Sequence, residues 1–224
     1  MSFREVYAIF VAGGSGTRMG GDVPKQFLDL CGVPVLQRSI ERFLEAEPSA
    51  HVIVVLPERL VQTWREMCVE HAVSFAQTVV KGGMTRFHSV QSALSKVPEG
   101  VIVSVHDGVR PLVTPKLVRG MLDAMANGSR ALVPALPVTD TLRCLDPSAV
   151  LPPRSSLVAV QTPQIFLSED LKRAYSQPYD PTFTDDASVV ERLGIPIEIF
   201  PGDKNNIKLT TPEDFTLARL LLGD

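Results

Sequence analysis

Cysteine is scarce in this chain: Cys31, Cys68 and Cys144 are widely spaced and odd in number. That fits neither a disulfide framework nor a Cys-x-x-Cys metal site, and it points to a reducing compartment. Charge of one sign is not in excess either. The formal net charge is −3, and the basic residues are scattered rather than gathered into a stripe. Composition therefore gives no ground for nucleic acid or an anionic membrane as a partner, and any anion binding has to be local. Long apolar runs are missing. The first, Val6 to Ala12, is too short to span a bilayer and lacks a basic flank with a cleavage site. Neither an anchor nor a signal peptide is expected, and the expected location is cytoplasmic.

Two familiar glycine-loop schemes are missing as well. In Gly14-Ser15-Gly16-Thr17-Arg18-Met19 a methionine stands where the dinucleotide fingerprint wants its third small residue, which disfavours an NAD site. Neither Gly13 nor Gly16 opens a Gly-x-x-x-x-Gly-Lys-Ser/Thr sequence, so there is no Walker A loop. His51, His71 and His88 show no ligand spacing with His106, which reads as a packed strand residue. No internal repeat or low-complexity tract is visible.

What is present is an alternation. At 224 residues and 45% hydrophobic, the chain can bury one substantial core, so residues 1–224 are expected to form a single domain. Nearly continuous apolar runs begin at Val6, His51, Ser74, Val101 and Arg130, as expected of strands covered on both faces. Between them, Pro34 to Ala46, Glu58 to His71, Thr85 to Val97 and Pro115 to Asn127 carry helical spacing, with Thr114-Pro115 resembling an N-cap and N1 pair. The fold class predicted is α/β, a mostly parallel twisted sheet with helices on both faces. Residues 137–156 turn polar and proline-punctuated, which is long for a loop and reads as a projecting arm. Helices are then predicted near Ser168 to Ser176, from Asp185 to Gly194 with Thr184 as cap, and from Thr211 to Leu222. IPIEIFPG and NNIKLT read as strands.

The motifs fall at strand ends, where open α/β sheets gather their ligands. Val11 to Phe27 is a glycine-rich turn that delivers Arg18 and Lys25 to one place. Its amides and two cations suit a triphosphate, although an ordinary tight turn with solvated charges reads equally well from this stretch alone. In His106-Asp107-Gly108-Val109-Arg110-Pro111 the acid can hold a divalent cation or a ribose hydroxyl, and Arg110 can reach a phosphate; a structural Asp107–Arg110 pair is the plainer alternative. Gly82-Gly83 lead into a helix on which Arg86 and Ser89 share a face. Asp185 and Asp186 read first as acids complementing a helix N-terminus, and Lys208 as a charge on an edge strand.

Taken in order, AGGSGTRM, PKQF, GGMTRFHSV, VHDGVRP, DTLR, QTPQIF, TDDAS and NNIKLT closely resemble the 2-C-methyl-D-erythritol 4-phosphate cytidylyltransferases of the non-mevalonate isoprenoid pathway. The likeness spans about Ala8 to Leu217. It implies a Rossmann-like nucleotidyltransferase whose arm swaps across a homodimer, with CTP and Mg²⁺ used to make a CDP-linked polyol and pyrophosphate. It also implies that Ala12, Gly13, Gly14, Ser15, Gly16, Gly82 and Gly83 meet CTP, with Ser89 helping to read cytosine and Arg18 and Lys25 gripping the triphosphate. Asp107 would serve CTP, the metal and the acceptor. Arg110, Thr162 and Lys208 would face the polyol phosphate, joined by Thr141 and Arg154 from the second subunit. Gly108, Val109, Arg143 and Asn205 depart from the family's usual residues. They keep ribitol 5-phosphate or another alditol phosphate as an alternative acceptor. A non-catalytic nucleotide sensor is a more remote reading, against which Arg18, Lys25, Asp107 and Lys208 speak. The chain lacks a Ser-His-Asp or Cys-His arrangement. None is needed by a phosphate monoester nucleophile, whose second pKa is about 6 and which is largely dianionic at neutral pH.

Overall fold

The computed structural model describes residues 4–14, 23–146 and 148–223. Strand β1 (Val6–Val11) is followed by a 3₁₀ turn at Lys25–Phe27, the short hairpin β2 (Asp29–Leu30) and β3 (Val33–Pro34), and α1 (Val35–Leu44). Strands and helices then alternate through β4 (His51–Leu56), α2 (Glu58–Glu70), β5 (Gln77–Lys81), α3 (Arg86–Leu94), β6 (Ile102–Asp107) and α4 (Pro115–Ala126). After β7 (Ala131–Pro137) and the arm come β8 (Val158–Val160), β9 (Gln164–Leu167), α5 (Ser168–Tyr175), α6 (Asp186–Glu191), β10 (Glu198–Pro201) and α7 (Pro212–Leu222).

The main sheet runs β10-β7-β9-β6-β1-β4-β5, with β8 paired to β7. β1 lies parallel to β4 and β6, β4 to β5, and β7 to β10. β9 is antiparallel to both β6 and β7, and β8 is antiparallel to β7. The expected α/β architecture with a mostly parallel sheet is therefore present, with one reversed strand set between two parallel groups.

Both faces of this sheet are buried, which explains the unbroken apolar character of its strands. In β1, Ala8 and Phe10 pack with Phe43, Trp64 and Met121 under α1, α2 and α4, while Ile9 joins Phe87, Leu171 and Val190 under α3, α5 and α6. Side chains alternate because successive Cβ atoms of a strand point to opposite faces. A smaller cluster of Leu30, Val35, Leu209 and Phe215 seats α7.

Local chemistry sets the helix ends. Thr85, Thr114 and Thr211 each accept a backbone N–H three residues on, and α7 stops at left-handed Gly223, with φ of 85°. Three expectations are corrected. α6 is capped by Asp185, not Thr184, since Asp185 Oδ1 accepts the Ser188 N–H at 2.9 Å while the Ser188 hydroxyl accepts from the Asp185 N–H. That helix also ends at Glu191, before Gly194. Residues 205–210 form no strand: they are tied to the core by the Leu209 N–H donated to the Val109 carbonyl at 2.9 Å and by the Asn206 amide donated to the Thr162 carbonyl at 2.8 Å. The arm is a ladder only at its base, where Ala135–Pro137 pair with Val158–Val160. Beyond it, the described residues of 138–153 carry no strand.

Candidate active site

The carboxyl ends of β1, β4, β5 and β6 open on one cavity of about 380 Å³. Ala12, Gly13 and Gly14 from the end of β1 line it, with Pro57 after β4, Gly82 to Thr85 after β5, and Asp107 at the end of β6. Lys25, Gln26, Arg86, Ser89, Lys208 and Thr210 complete the wall. β1 is flanked by β4 on one side and β6 on the other, so the cavity lies where the chain's crossovers diverge, the favoured ligand position in such sheets. The buried Gln26 amide donates to the Ala12 carbonyl at 2.8 Å and so ties the turn bearing Lys25 to the exit of β1. On the opposite wall, the Ser89 hydroxyl accepts the Gly83 N–H at 3.2 Å and donates to the Thr85 carbonyl at 2.9 Å. Gly83 has no room for a side chain, because a Cβ there would come within 2.4 Å of His88 Cβ.

Asp107 is the electrostatic centre. Its Oδ1 accepts from Arg86 Nη1 at 2.9 Å, and its Oδ2 meets Lys208 Nζ at 3.1 Å and Arg110 Nε at 3.3 Å. Burial by itself would raise this carboxyl, but Arg86, then Lys208 and Arg110, overcome it and hold the group well below the usual carboxylate range. Arg86 spans two acids: its Nη2 donates to Asp186 Oδ2 at 2.6 Å, and Asp186 Oδ1 accepts the Tyr175 hydroxyl at 2.6 Å. Burial lowers the Arg86 guanidinium, but Asp186 and Asp107 outweigh it and drive its pKa well above the ordinary value. Behind this group, the Asp107 N–H donates to Thr162 Oγ1 at 3.0 Å, and that hydroxyl lies 2.9 Å from His106 Nδ1. Burial pushes His106 down to about 3, so the ring is neutral near pH 7. As expected, it is a packed strand residue.

A glycine-lined cavity with a cationic rim suits nucleotide transfer, and the comparisons with known proteins agree. Residues 6–224 match the family described as "IspD: 2-C-methyl-D-erythritol 4-phosphate cytidylyltransferase". The chain belongs to this family. A relative from Porphyromonas gingivalis (strain ATCC 33277), named 2-C-methyl-D-erythritol 4-phosphate cytidylyltransferase, is 48% identical over 219 residues, or 96% of this chain and 97% of that protein. The crystal structure of the enzyme of that name from Thermus thermophilus superposes with a TM-score of 0.74 at 30% identity, covering 98% of this chain and all of that one. A synthase from Anaerococcus prevotii, at 23% identity, shares the fold with a TM-score of 0.83 over the full length of both chains.

For a member of this cytidylyltransferase family, the cavity assembles most of the residues singled out by sequence. Ala12, Gly13, Gly14, Lys25, Gly82, Gly83, Ser89, Asp107 and Lys208 all line it. Ser15, Gly16 and Arg18 lie outside the described residues. Arg110 and Thr162 do not line the cavity: Arg110 is buried behind Asp107, with Nη1 donating to the Asn206 carbonyl at 2.7 Å, and Thr162 holds the Asp107 backbone. Without ligand, both brace Asp107 from behind. Thr141 and Arg154 also stand away from this cavity. The Arg154 guanidinium donates to the Thr139 carbonyl at 3.0 Å within the exposed arm.

Three residues of the site are not among those expected from the sequence: Arg86, although its helix face is, and Gln26 and Asp186. Arg86–Ser89 spacing was the available signal for the first, while a bond across 100 residues left none for Asp186. A divalent cation fits Asp107 poorly, since both carboxylate oxygens are committed to three cations that would repel it. Among the described residues, no group of three or more His, Cys, Asp or Glu is placed to hold a metal.

Proposed function

We propose that the chain transfers the cytidylyl group of CTP to 2-C-methyl-D-erythritol 4-phosphate, giving the CDP-linked polyol and pyrophosphate for isoprenoid precursor synthesis. The observation that carries this reading is the convergence of Lys25, Lys208 and Asp107 with the glycine turns on one cavity, in a chain of this family. In the proposed arrangement, cytosine lies against Gly82, Gly83 and Ser89. The triphosphate follows the amides of Ala12 to Gly14 towards Lys25, and Ser15, Gly16 and Arg18 join its contacts. Lys208 receives the acceptor's phosphate, and Thr141 and Arg154 reach it from a second copy of the chain in a cytoplasmic homodimer.

The acceptor's phosphate oxygen attacks the α-phosphorus of CTP, a new P–O bond forms, and the bond to the β-phosphate's bridging oxygen breaks, releasing pyrophosphate. No general base is required, because the nucleophile is already ionised. The chain's task is to bring two polyanions into line and stabilise charge at the α-phosphate, which Arg18, Lys25 and Lys208 can do as cations. Magnesium, in this proposal, takes its ligands from the phosphates rather than from the protein.

Pyrophosphate release measured with CTP and methylerythritol phosphate, beside CTP and ribitol 5-phosphate, tests the reading. Turnover chiefly with the first supports it. Preference for ribitol 5-phosphate, to which Gly108-Val109 gives some standing, moves the acceptor; turnover with no polyol phosphate leaves a nucleotide sensor.

A further inference from the structure

We propose that Asp186 is a positioning residue for cytidylyl transfer: from α6 it grips Arg86, and through Arg86 it holds the Asp107 carboxylate still while Lys208 turns to the incoming phosphate. This rests on the function proposed above. Asp186 is fully buried and cannot touch a ligand, whereas Arg86 lies on the cavity wall with 29% of its side chain exposed. One guanidinium therefore carries the position of a buried acid to the reactive surface, and its planar fork, bonded at both Nη atoms, resists rotation.

The anchor is itself braced from several elements. Tyr175 on α5 donates to Asp186, and Gln164 on β9 accepts the Ala187 N–H at 2.9 Å while donating to the capping Asp185 at 2.8 Å. Two residues before Gln164, Thr162 holds the Asp107 N–H. Main chain and side chain of Asp107 are thus fixed from the same return of the chain. The charges agree with such a role. Two carboxylates, Asp107 and Asp186, face three cations, whose side chains are 29% (Arg86), 11% (Arg110) and 46% (Lys208) exposed. Lys208, the most exposed, is the one able to leave, and its departure leaves two acids balanced by two guanidinium groups.

The test compares wild type with Asp186→Asn, Arg86→Lys, their double variant and Tyr175→Phe. Asp186→Asn is expected to lower kcat by about 10-fold or more, as small misplacements of reacting groups do, with the KM for CTP moved by less than about threefold. Tyr175→Phe should lower kcat in the same direction by less, and it carries the test if Asp186→Asn does not fold. The double variant should be no slower than Arg86→Lys alone, the sign of two residues acting as one unit. In ¹⁵N spectra, the Arg86 Nη signals should be separate in wild type and averaged in Asp186→Asn. Unchanged kcat, additive losses, or a freely rotating Arg86 in wild type would each overturn the proposal. Absence of wild-type turnover with CTP and methylerythritol phosphate would strike the proposed function instead, and the Arg86 spectrum would still decide the strut.

Discussion

Lys25 reaches the cavity from a 3₁₀ turn whose next residue, Gln26, is bonded to the strand exit, so this cation is presented by a fixed backbone. Lys25→Ala is expected to cut turnover by about 10²-fold or more, the usual cost of removing one electrostatic partner of a transition state, with little change in thermal midpoint. Near-normal turnover would remove Lys25 from the mechanism. His106 gives the site a pH signature in stability. Its folded pKa, about 3, lies below its ordinary 6.5, so between these values the unfolded chain binds a proton that the folded chain refuses. Its contribution is intact above pH 6.5 and is lost as pH falls towards 3, with a slope of at most about 1.4 kcal/mol per pH unit. Asp107, also depressed, adds loss of the same sign only below the ordinary Asp range. Melting temperatures taken from pH 7.5 to 5 should fall, and His106→Asn should flatten that fall; equal slopes would exclude His106 as its source.

At the scale of elements, Trp64 shows how packing reaches the site. It is wholly buried on α2, stacks on Phe27 with ring centroids 5.9 Å apart, and donates its indole N–H to Gln77 of β5 at 2.8 Å. One side chain therefore joins a helix, an edge strand and the turn that bears Lys25. Trp64→Ala is expected to cost about 3–5 kcal/mol, read as a lower urea midpoint, and to raise the KM for CTP as the turn loses its support. A shift below about 1 kcal/mol would mean that the turn stands without it. Helix limits were legible where one residue dominates the capping, as at Thr114 and Thr211. In Thr184-Asp185 two good caps stand side by side, and only the bond from Asp185 to Ser188 separates them.

At the scale of the whole molecule, the described arm leaves Leu145 and Val150 almost fully exposed, an unusual state for apolar side chains and one that suits the proposed second subunit. Arg154→Ala should chiefly raise the KM for the polyol phosphate. Mixing it with Lys208→Ala subunits should recover part of the turnover that each lacks, because the hybrid dimer holds one intact site. No recovery would mean that each site is built within one chain. The alternating apolar runs, the capped helices and the ordered motifs were determined by the sequence itself, since periodicity, turn chemistry and capping act over a few residues. Tertiary structure alone decided that β9 enters the sheet reversed, that Thr162 stands behind Asp107, and that Asp186 meets Arg86. Such contacts join residues dozens of positions apart, and their partners are chosen by how the sheet closes and where burial forces charges to pair.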